Sequence, residues 1–365
     1  MVISKINSEE FVTLAKTYLV FDVRSPGEYN HAHFPEAISL PLFTNEERAI
    51  VGTAYKQESR EIAIRLGLDF FGVKMRKMVE EADSIIKSHD KKHNKVVLIH
   101  CWRGGMRSSA VAWLFDLYGY KVYTLAGGYK AYRNWVLQQF SKEYKLNILG
   151  GYTGSGKTII LKELNRIGHT VIDLEGLANH KGSAFGAIGE KPQPGQEMFE
   201  NLLANELFYK SSVLPGESRS PRSIWLEDES QRIGSVMLPN PFWDSMRQSP
   251  VFFIEIDFDE RLKYLVHTYG LFEKEKLVNA IIRIQKRLGG LETKNAIHHL
   301  LENDVSSCFS ILLHYYDRLY TKGLKNRVNG AQLLNTIPCK HVDARVNSIQ
   351  IDAITKSETS IMHND

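Results

Sequence analysis

The sequence predicts an α/β protein with two domains and a helical C-terminal region. The 365 residues suffice for about two domains at roughly 150 residues each. Short apolar runs that lead into Gly-rich loops and then into helical patterns occur twice, as in parallel sheets. We therefore expect a first domain at 1–138, a linker at 139–145, an α/β domain at 146–258 and a mostly helical part at 259–365.

The strands can be predicted in order from short apolar runs between polar or helical segments. In the first domain they fall at 19–23, 96–99 and 121–125, with helical periodicity over 56–88 and again around 110–117. In the second domain they fall at 146–149, 170–174, 223–226 and 251–256. This alternation favours a parallel sheet in each domain.

Composition excludes several classes of protein. The 43% hydrophobic and 24% charged content is that of a globular chain, and no apolar run approaches the roughly 18 residues of a membrane helix. The N-terminus lacks the apolar segment of a secretory signal. Three cysteines, Cys101, Cys308 and Cys339, form no CxxC pair, so we expect a cytoplasmic protein with reduced thiols. The net charge of +4 is compatible with nucleic-acid binding without requiring it.

The loop after the strand at 96–99 carries Cys101. Arg103, Gly104, Gly105 and Arg107 follow within one short window, and a helix is predicted directly beyond. Backbone N–H groups of such a loop, the helix N-terminus and the arginines all favour a thiolate over a thiol. A lone cysteine is more often a small core residue. The surrounding glycines and arginines instead indicate a nucleophile beside an anion-binding loop.

This loop resembles those of two families. His100 and Cys101, followed after five residues by Arg107, resemble the Cys-dependent phosphatases. Residues 22–29, the cysteine loop and residues 125–129 together resemble the rhodanese domain, over about residues 5–138. Residues 32–36 depart from the Gly-His-Ile-Pro-Gly turn that is frequent in rhodaneses, which changes a turn and not the active loop. The resemblance implies a rhodanese-like fold with a chalcogen atom carried on Cys101.

A second Gly-rich loop, residues 151–158, fits the P-loop pattern between a predicted strand and a predicted helix. We therefore expect a P-loop NTPase-like parallel sheet. Backbone N–H groups of this loop would surround a diphosphate and its lysine would reach the terminal oxygens. The predicted diphosphate-binding residues are Gly151, Gly154, Ser155, Gly156, Lys157 and Thr158.

Acidic residues at the ends of two other strands are the predicted partners of the P-loop. Asp228 follows the strand at 223–226 and resembles the acid of a Walker B strand. Asp173 and Glu175 stand near the position of the substrate acid in small-molecule P-loop kinases. A helix cap or a solvated strand end is the alternative for each of them. No tightly bound cofactor is expected; a magnesium ion, if used, would be held by Thr158 and Asp228.

The two loops in one chain resemble the tRNA 2-selenouridine synthase family. Residues 101–108, 127–133, 151–158 and 173–186 carry the resemblance, although Lys181 stands where an arginine is expected. The resemblance implies that 2-thiouridine at wobble position 34 of tRNA is geranylated from geranyl diphosphate. Selenium from selenophosphate then replaces the S-geranyl group.

The same resemblance assigns roles to the cysteine loop. Cys101 would carry selenium as a selenosulfide, and a selenophosphate-producing enzyme would be a partner. The predicted selenophosphate-binding residues are Arg103, Gly104, Gly105 and Arg107.

Contacts with RNA are the least visible feature of the sequence. Aromatic and basic residues alternate over 315–327, as in single-stranded RNA binders. An ordinary amphipathic helix with a solvated basic face has the same pattern. The predicted tRNA-binding residues are Arg318, Lys322, Lys325 and Arg327, with Lys130, Arg133, Arg219 and Arg222 as equal alternatives.

Two other functions are consistent with these motifs. A P-loop small-molecule kinase with a rhodanese domain would turn over ATP, with Asp173 as its base. A nucleotide-gated RNA-binding scaffold would contain an inert Cys101. The presence of both loops beside the segment 180–186 favours the selenium-transferring enzyme.

Overall fold

The computed structural model describes residues 3–89, 95–211, 223–327 and 330–361. The chain divides into two compact units. The first holds the residues up to Gln139 together with Glu200–Asn205, and the second holds Phe140–Phe199 and the residues from Glu206 onward. Within the described segments, no helix combines the length and the apolar character needed to cross a membrane.

The first unit is built on a five-stranded parallel sheet. Its strands are β1 (Ile3–Ile6), β2 (Leu19–Asp22), β3 (Ile38–Ser39), β4 (Val96–His100) and β5 (Lys121–Leu125), in the spatial order β1-β5-β4-β2-β3. Its helices are α1 (Ser8–Ala15), α2 (Pro26–His31), α3 (Asn45–Gln57), α4 (Arg60–Gly72), α5 (Met75–His89), α6 (Met106–Leu117) and α7 (Gly128–Gln139). The central strand β4 is the apolar run that the sequence pattern identified.

Packing on both faces of β4 explains why this strand is almost entirely apolar, because Leu98 is fully buried on the face opposite Val97 and Ile99. Val97 and Ile99 are fully buried in one cluster with Phe21 of β2 and Phe115 of α6, whose rings meet edge to face. Helix α5 contributes Met78 and other apolar side chains at helical spacing to the same core. Burial of aromatic and aliphatic surface of this kind supplies most of the stabilisation of an α/β unit.

The second unit contains another five-stranded parallel sheet, followed by helices. The strands of the second unit are β6 (Leu146–Gly151), β7 (Thr170–Val171), β8 (Ile224–Glu227), β9 (Arg232–Ile233), β10 (Val236–Met237), β11 (Val251–Glu255) and β12 (Leu334–Pro338). Five of them form a sheet in the order β12-β11-β6-β8-β7, while β9 and β10 form a small antiparallel pair. The helices are α8 (Lys157–Arg166), α9 (Leu174–Ala178), α10 (Gln196–Ser211), α11 (Asn240–Arg247), α12 (Phe258–Tyr269), α13 (Lys274–Leu288), α14 (Gly290–Leu301), α15 (Val305–Lys325), α16 (Gly330–Leu333) and α17 (Ala344–Ile361). Within α10, Glu200–Asn205 are counted with the first unit.

The predicted fold class, with two parallel-sheet α/β parts and a helical C-terminal region, is confirmed. Two local predictions were wrong. The strand expected at 170–174 ends at Val171, because Asp173 caps helix α9 instead. Strand β12 lies in a region predicted to be helical, and it pairs with β11 at the edge of the sheet. An edge strand that ends in proline has a weak sequence signal.

The sheet topology determines where the two motifs lie. Cys101 follows β4 and the P-loop follows β6, each an interior strand of its own sheet. Strands β6 and β8 are hydrogen-bonded neighbours, with Leu149 opposite Glu227. The acidic residues after β8 therefore lie beside the P-loop, as the sequence predicted, at the carboxyl edge where parallel sheets bind ligands.

Candidate active sites

Cys101 is the first residue of the loop between β4 and α6, directly after the end of β4. Its side chain is only 3% exposed, and its thiol donates a hydrogen bond to the Ser108 hydroxyl at 3.2 Å. Ser108 in turn donates to the Gly105 carbonyl oxygen at 3.1 Å. Gly105 occupies the N-cap position of α6 and has no side chain to cap the helix. The first-turn amides of α6 are therefore available to an anion close to the sulfur.

The Gly-Gly-Tyr segment at residues 127–129 holds this loop in place. Tyr129 N donates to the Cys101 carbonyl oxygen at 2.8 Å, and Lys130 N donates to that of Trp102 at 3.0 Å. Gly104 and Gly128 both have φ near +60° and lie backbone against backbone. A side chain at either position would overlap main-chain atoms of the other segment. Residues 127–129, which are part of the rhodanese-like motif, therefore hold the cysteine loop in position through backbone contacts.

The two arginines of the loop differ in their surroundings. Arg107 makes a two-pronged ion pair with Glu28, with its Nη1 2.6 Å from Oε2 and its Nη2 3.2 Å from Oε1. Although burial raises it, the hydrogen bond and charge of Arg107 hold the pKa of Glu28 below its ordinary value. Arg103 is exposed. Glu28 lies within the rhodanese-like stretch 22–29, and the sequence predicted no role for it; the structure makes it the residue that orients Arg107.

A buried ion pair packs against Tyr129, the residue whose amide is bonded to the Cys101 carbonyl oxygen. Arg24 and Asp22 are almost completely buried and meet at 2.6 Å, while Arg24 also donates to the Ala32 carbonyl oxygen and stacks 3.8 Å from the Tyr129 ring centre. Neither ring nitrogen of the buried His100 has a hydrogen-bond partner in the described part of the chain. Burial lowers the pKa of His100, so its imidazole is neutral near pH 7.

The P-loop connects β6, which ends at Gly151, to α8, which begins at Lys157. Gly156 stands at the N-cap of α8 and offers no side-chain cap, so the first amides of the helix are open. The Ser155 hydroxyl is fully buried and has no partner among the described residues. These features are those of an anion cradle.

Lys157 and Thr158 are held by partners within the second unit. Lys157 Nζ donates to the Gly151 carbonyl oxygen at 3.0 Å, at the start of the same loop. The Thr158 hydroxyl donates to Glu175 Oε2 at 2.7 Å. Burial raises the pKa of Glu175 even though the Thr158 hydrogen bond and the Lys157 charge oppose this shift.

Two of the predicted acidic partners have structural roles. Asp173 caps helix α9 by accepting a hydrogen bond from Gly176 N at 2.6 Å, which is the alternative that the sequence left open. Asp228 pairs with Arg327 at 2.7 Å and accepts a hydrogen bond from the Tyr320 hydroxyl at 2.7 Å. The same hydroxyl accepts from Gly151 N at 3.1 Å. Asp228 is therefore linked to the P-loop through Tyr320.

The sequence reasoning missed two carboxyl groups beside Asp228. Glu227, the last residue of β8, is fully buried; it accepts from Leu174 N at 3.1 Å, and its second oxygen lacks a partner in the described segments. Burial raises the pKa of Glu227 well above its ordinary value. Burial and the nearby Glu175 charge raise the pKa of Glu229 to about 8. The run Glu227-Asp228-Glu229 was the available signal, but only its middle residue was selected.

Raised pKa values change the charge of this acidic cluster. The raised pKa of Glu229 favours its neutral, protonated form relative to an ordinary carboxyl group. Repulsion between the cluster and an anionic ligand in the P-loop is correspondingly reduced. Among residues 3–89, 95–211, 223–327 and 330–361, no group of three His, Cys, Asp or Glu side chains is arranged to hold a metal ion.

The predicted RNA-contact residues fall into two groups. Arg318, Lys322 and Lys325 are exposed on α15, so their role stays a prediction. Arg327 is only 6% exposed and is paired with Asp228, so it does not belong to the basic surface predicted for it. In the first unit, Arg133 pairs with Glu200. The alternatives Arg219 and Arg222 lie outside the described residues.

Two family models match the chain. The model described as the tRNA 2-selenouridine synthase AAA domain matches residues 144–336, and the model described as the rhodanese-like domain matches residues 7–134. Each matched range contains one of the two loops.

Named relatives extend over both loops. The chain is 36% identical over 343 residues to the tRNA 2-selenouridine synthase of Sulfurovum sp. (strain NBC37-1). The match covers 85% of this chain and 89% of that protein. It is 34% identical over 358 residues to the tRNA 2-selenouridine synthase of Shewanella denitrificans (strain OS217). This match covers 88% of this chain and 93% of that protein. Each relative is thus matched over most of its own length.

Proposed function

We propose, from the premise that this chain belongs to the tRNA 2-selenouridine synthase family, that its two loops carry out successive halves of the reaction. The enzyme is a transferase that acts on tRNA. In the first half, the P-loop transfers a geranyl group from geranyl diphosphate to the sulfur of 2-thiouridine at the wobble position. In the second half, selenium from selenophosphate replaces the S-geranyl group at the cysteine loop, and 2-selenouridine is formed.

The geranyl step fits the chemistry of the P-loop. The thiocarbonyl sulfur attacks the allylic carbon, the carbon–oxygen bond breaks, and diphosphate leaves with the electron pair while the uracil ring loses its N3 proton. The open amides of α8 and the Lys157 ammonium group can stabilise the charge that develops on the leaving diphosphate. Lys157 would exchange its bond to the Gly151 carbonyl for the terminal phosphate. The open cradle is the observation that carries this half of the proposal.

The selenium step needs a leaving group that 2-thiouridine itself lacks. Alkylation converts the sulfur into one: the selenium of selenophosphate attacks C2, and the geranyl thiolate leaves with the electron pair of the carbon–sulfur bond and takes up a proton. Water then attacks phosphorus and breaks the phosphorus–selenium bond, so that phosphate is released and selenium stays on C2. The open amides of α6 beside Cys101 suit the phosphate oxygens of the donor. Arg107, oriented by Glu28, would add positive charge there. The selenosulfide on Cys101 and a separate selenophosphate-producing enzyme stay predictions.

Two single substitutions test whether the P-loop carries out geranyl transfer and the cysteine loop carries out selenation. Cys101→Ser is expected to abolish selenation and to spare geranylation, so S-geranyl tRNA accumulates. Lys157→Ala is expected to slow geranyl transfer on the order of 10²-fold and to spare selenation of tRNA that already carries the geranyl group. Mass analysis of the nucleosides from each reaction distinguishes the two blocks. Normal selenouridine formation by the Cys101→Ser enzyme would contradict the assignment of the cysteine loop.

The kinase alternative makes a different prediction for the same proteins. A P-loop kinase would release or transfer the γ-phosphate of ATP, and Lys157→Ala would stop that reaction. ATP turnover by the wild-type protein without any geranyl transfer would overturn the proposed role of the P-loop.

A further inference from the structure

The first unit contains a buried asparagine that lies far beyond the rhodanese-like stretch in the sequence. Asn201 belongs to the segment Glu200–Asn205 of α10, which is counted with the first unit, and its side chain is fully buried. None of the sequence motifs includes this residue. A buried amide is stable only where its donors and its acceptor find partners, so its contacts show what it holds in place.

The Asn201 amide joins three parts of the first unit. Its oxygen accepts a hydrogen bond from Arg133 Nη1 at 2.5 Å, which fixes the orientation of the amide. Its nitrogen therefore faces the Tyr129 hydroxyl, to which it donates at 2.8 Å, and the His33 carbonyl oxygen, to which it also donates at 2.8 Å. His33 belongs to the turn 32–36, whereas Tyr129 and Arg133 belong to α7. One side chain thus connects α10, α7 and that turn.

Tyr129 connects this amide to the cysteine loop. Its backbone N–H donates to the Cys101 carbonyl oxygen at 2.8 Å, so the position of Tyr129 helps to determine where the loop begins. The Tyr129 side chain is fully buried, with Arg24 stacked 3.8 Å from the ring centre. Arg24 holds the face of the ring and Asn201 holds its hydroxyl end. A displaced hydroxyl would therefore shift the residue whose amide is bonded to Cys101.

We propose that Asn201 is a positioning residue for the cysteine loop and acts through Tyr129. The assignment rests on the selenation proposed above for that loop. The hydrogen bonds of Asn201 go to the support of the loop, so it contributes geometry and no chemical group to the reaction. The support of Cys101 is therefore completed by a residue 72 positions beyond Tyr129, on the far side of the P-loop in the sequence.

A matched pair of substitutions on one helix provides the test. Asn205 lies about one turn after Asn201, is also buried, and accepts a hydrogen bond from the Tyr132 hydroxyl at 2.8 Å. Asn201→Ala is expected to lower kcat for selenation of S-geranyl tRNA at least roughly tenfold, since a misplacement of about 1 Å can cost on the order of 10²-fold. Asn205→Ala removes the same atoms and should leave kcat unchanged. A merely structural role predicts equal effects of the two substitutions.

A double-mutant cycle shows whether Asn201 acts through Tyr129. Tyr129→Phe removes only the hydroxyl that Asn201 holds and should lower kcat by a similar factor. If the two residues act together, the double variant loses no more activity than either single variant, whereas independent effects multiply. All rates are measured well below the unfolding midpoint of each variant, so that a loss of stability does not enter the comparison.

The hydroxyl variants keep the proposal testable if Asn201→Ala does not fold. Tyr129→Phe should then lower kcat, and Tyr132→Phe, which removes the hydroxyl bonded to Asn205, should not. Wild-type kcat in folded Asn201→Ala or in Tyr129→Phe, equal losses within a matched pair, or multiplied losses in the double variant would overturn the positioning role alone. A wild-type protein that forms no 2-selenouridine from S-geranyl tRNA and selenophosphate would instead overturn the selenation proposed for the cysteine loop.

Discussion

The cysteine loop contains two adjacent glycines, Gly104 and Gly105, at which an alanine substitution is predicted to have opposite effects on the packing of the loop. At Gly104, φ is +60°, and an added Cβ would lie 2.8 Å from Gly128 N and closer still to the Leu125 carbonyl oxygen. At Gly105, no atom lies within 4 Å of such a Cβ. Gly104→Ala and Gly105→Ala therefore add the same methyl group to neighbouring positions of one loop, and only the first should disturb it.

The contacts determine the size of the effect. Opening the 2.8 Å contact to the 3.4 Å of ordinary van der Waals contact moves the loop by about 0.6 Å, and the Leu125 oxygen requires more. The left-handed conformation costs alanine about a further 1 kcal/mol. Since a misplacement of about 1 Å can lower a rate on the order of 10²-fold, we expect a loss of that size in selenation for Gly104→Ala. Because Gly105 is itself a predicted selenophosphate-binding residue, the comparison with Gly105→Ala uses thermal unfolding: the midpoint should stay unchanged in Gly105→Ala, which meets no protein atom, and should fall in Gly104→Ala.

The assay supplies S-geranyl tRNA and selenophosphate and follows 2-selenouridine by mass analysis. Geranyl transfer, proposed for the second unit, is measured on the same protein preparations as a check of folding and should stay at the wild-type rate in both variants. Wild-type selenation by Gly104→Ala, or an equal fall of the unfolding midpoint in both variants, would show that the backbone packing of Gly104 and Gly128 does not position Cys101.

Three further predictions concern the second unit. If Lys322 contacts a tRNA phosphate, Lys322→Gln should reduce the slope of log affinity against log salt by about 0.9, measured by filter binding; an unchanged slope would remove Lys322 from the interface. Because the pKa of Glu229 is raised to about 8, the folded state binds more protons than the unfolded state above the ordinary carboxyl pKa, and stability falls as pH rises toward 8. Glu229→Gln should flatten that decline in urea unfolding of the second unit, and an identical pH profile in the variant would refute the shift. Tyr320→Phe removes the hydroxyl between Gly151 N and Asp228 and should destabilise the second unit by about 1–3 kcal/mol, measured by thermal unfolding; an unaltered midpoint would show that this link is not stabilising.

The elements that sequence alone predicted are those whose physics is local. The P-loop is a contiguous run in which backbone amides, Lys157 and Thr158 act together, and the strand and helix around it are visible in apolar spacing. The cysteine loop is equally compact in sequence. The central strands β4 and β6 were predicted because strands buried on both faces consist of nearly continuous apolar residues.

The tertiary structure decided which charged groups neutralise one another, because those partners are distant in the chain. Arg327 meets Asp228 across 99 positions and is removed from the RNA-contact surface, while Arg107 meets Glu28 across 79. Composition and spacing identify charged residues, but a buried charge is stable only beside a specific partner, and folding alone brings that partner close. A small apolar cavity beside Thr153, lined by residues of α12 and α15, has the same origin: its walls come from segments that no sequence pattern connects, so its shape existed only once the helices had packed.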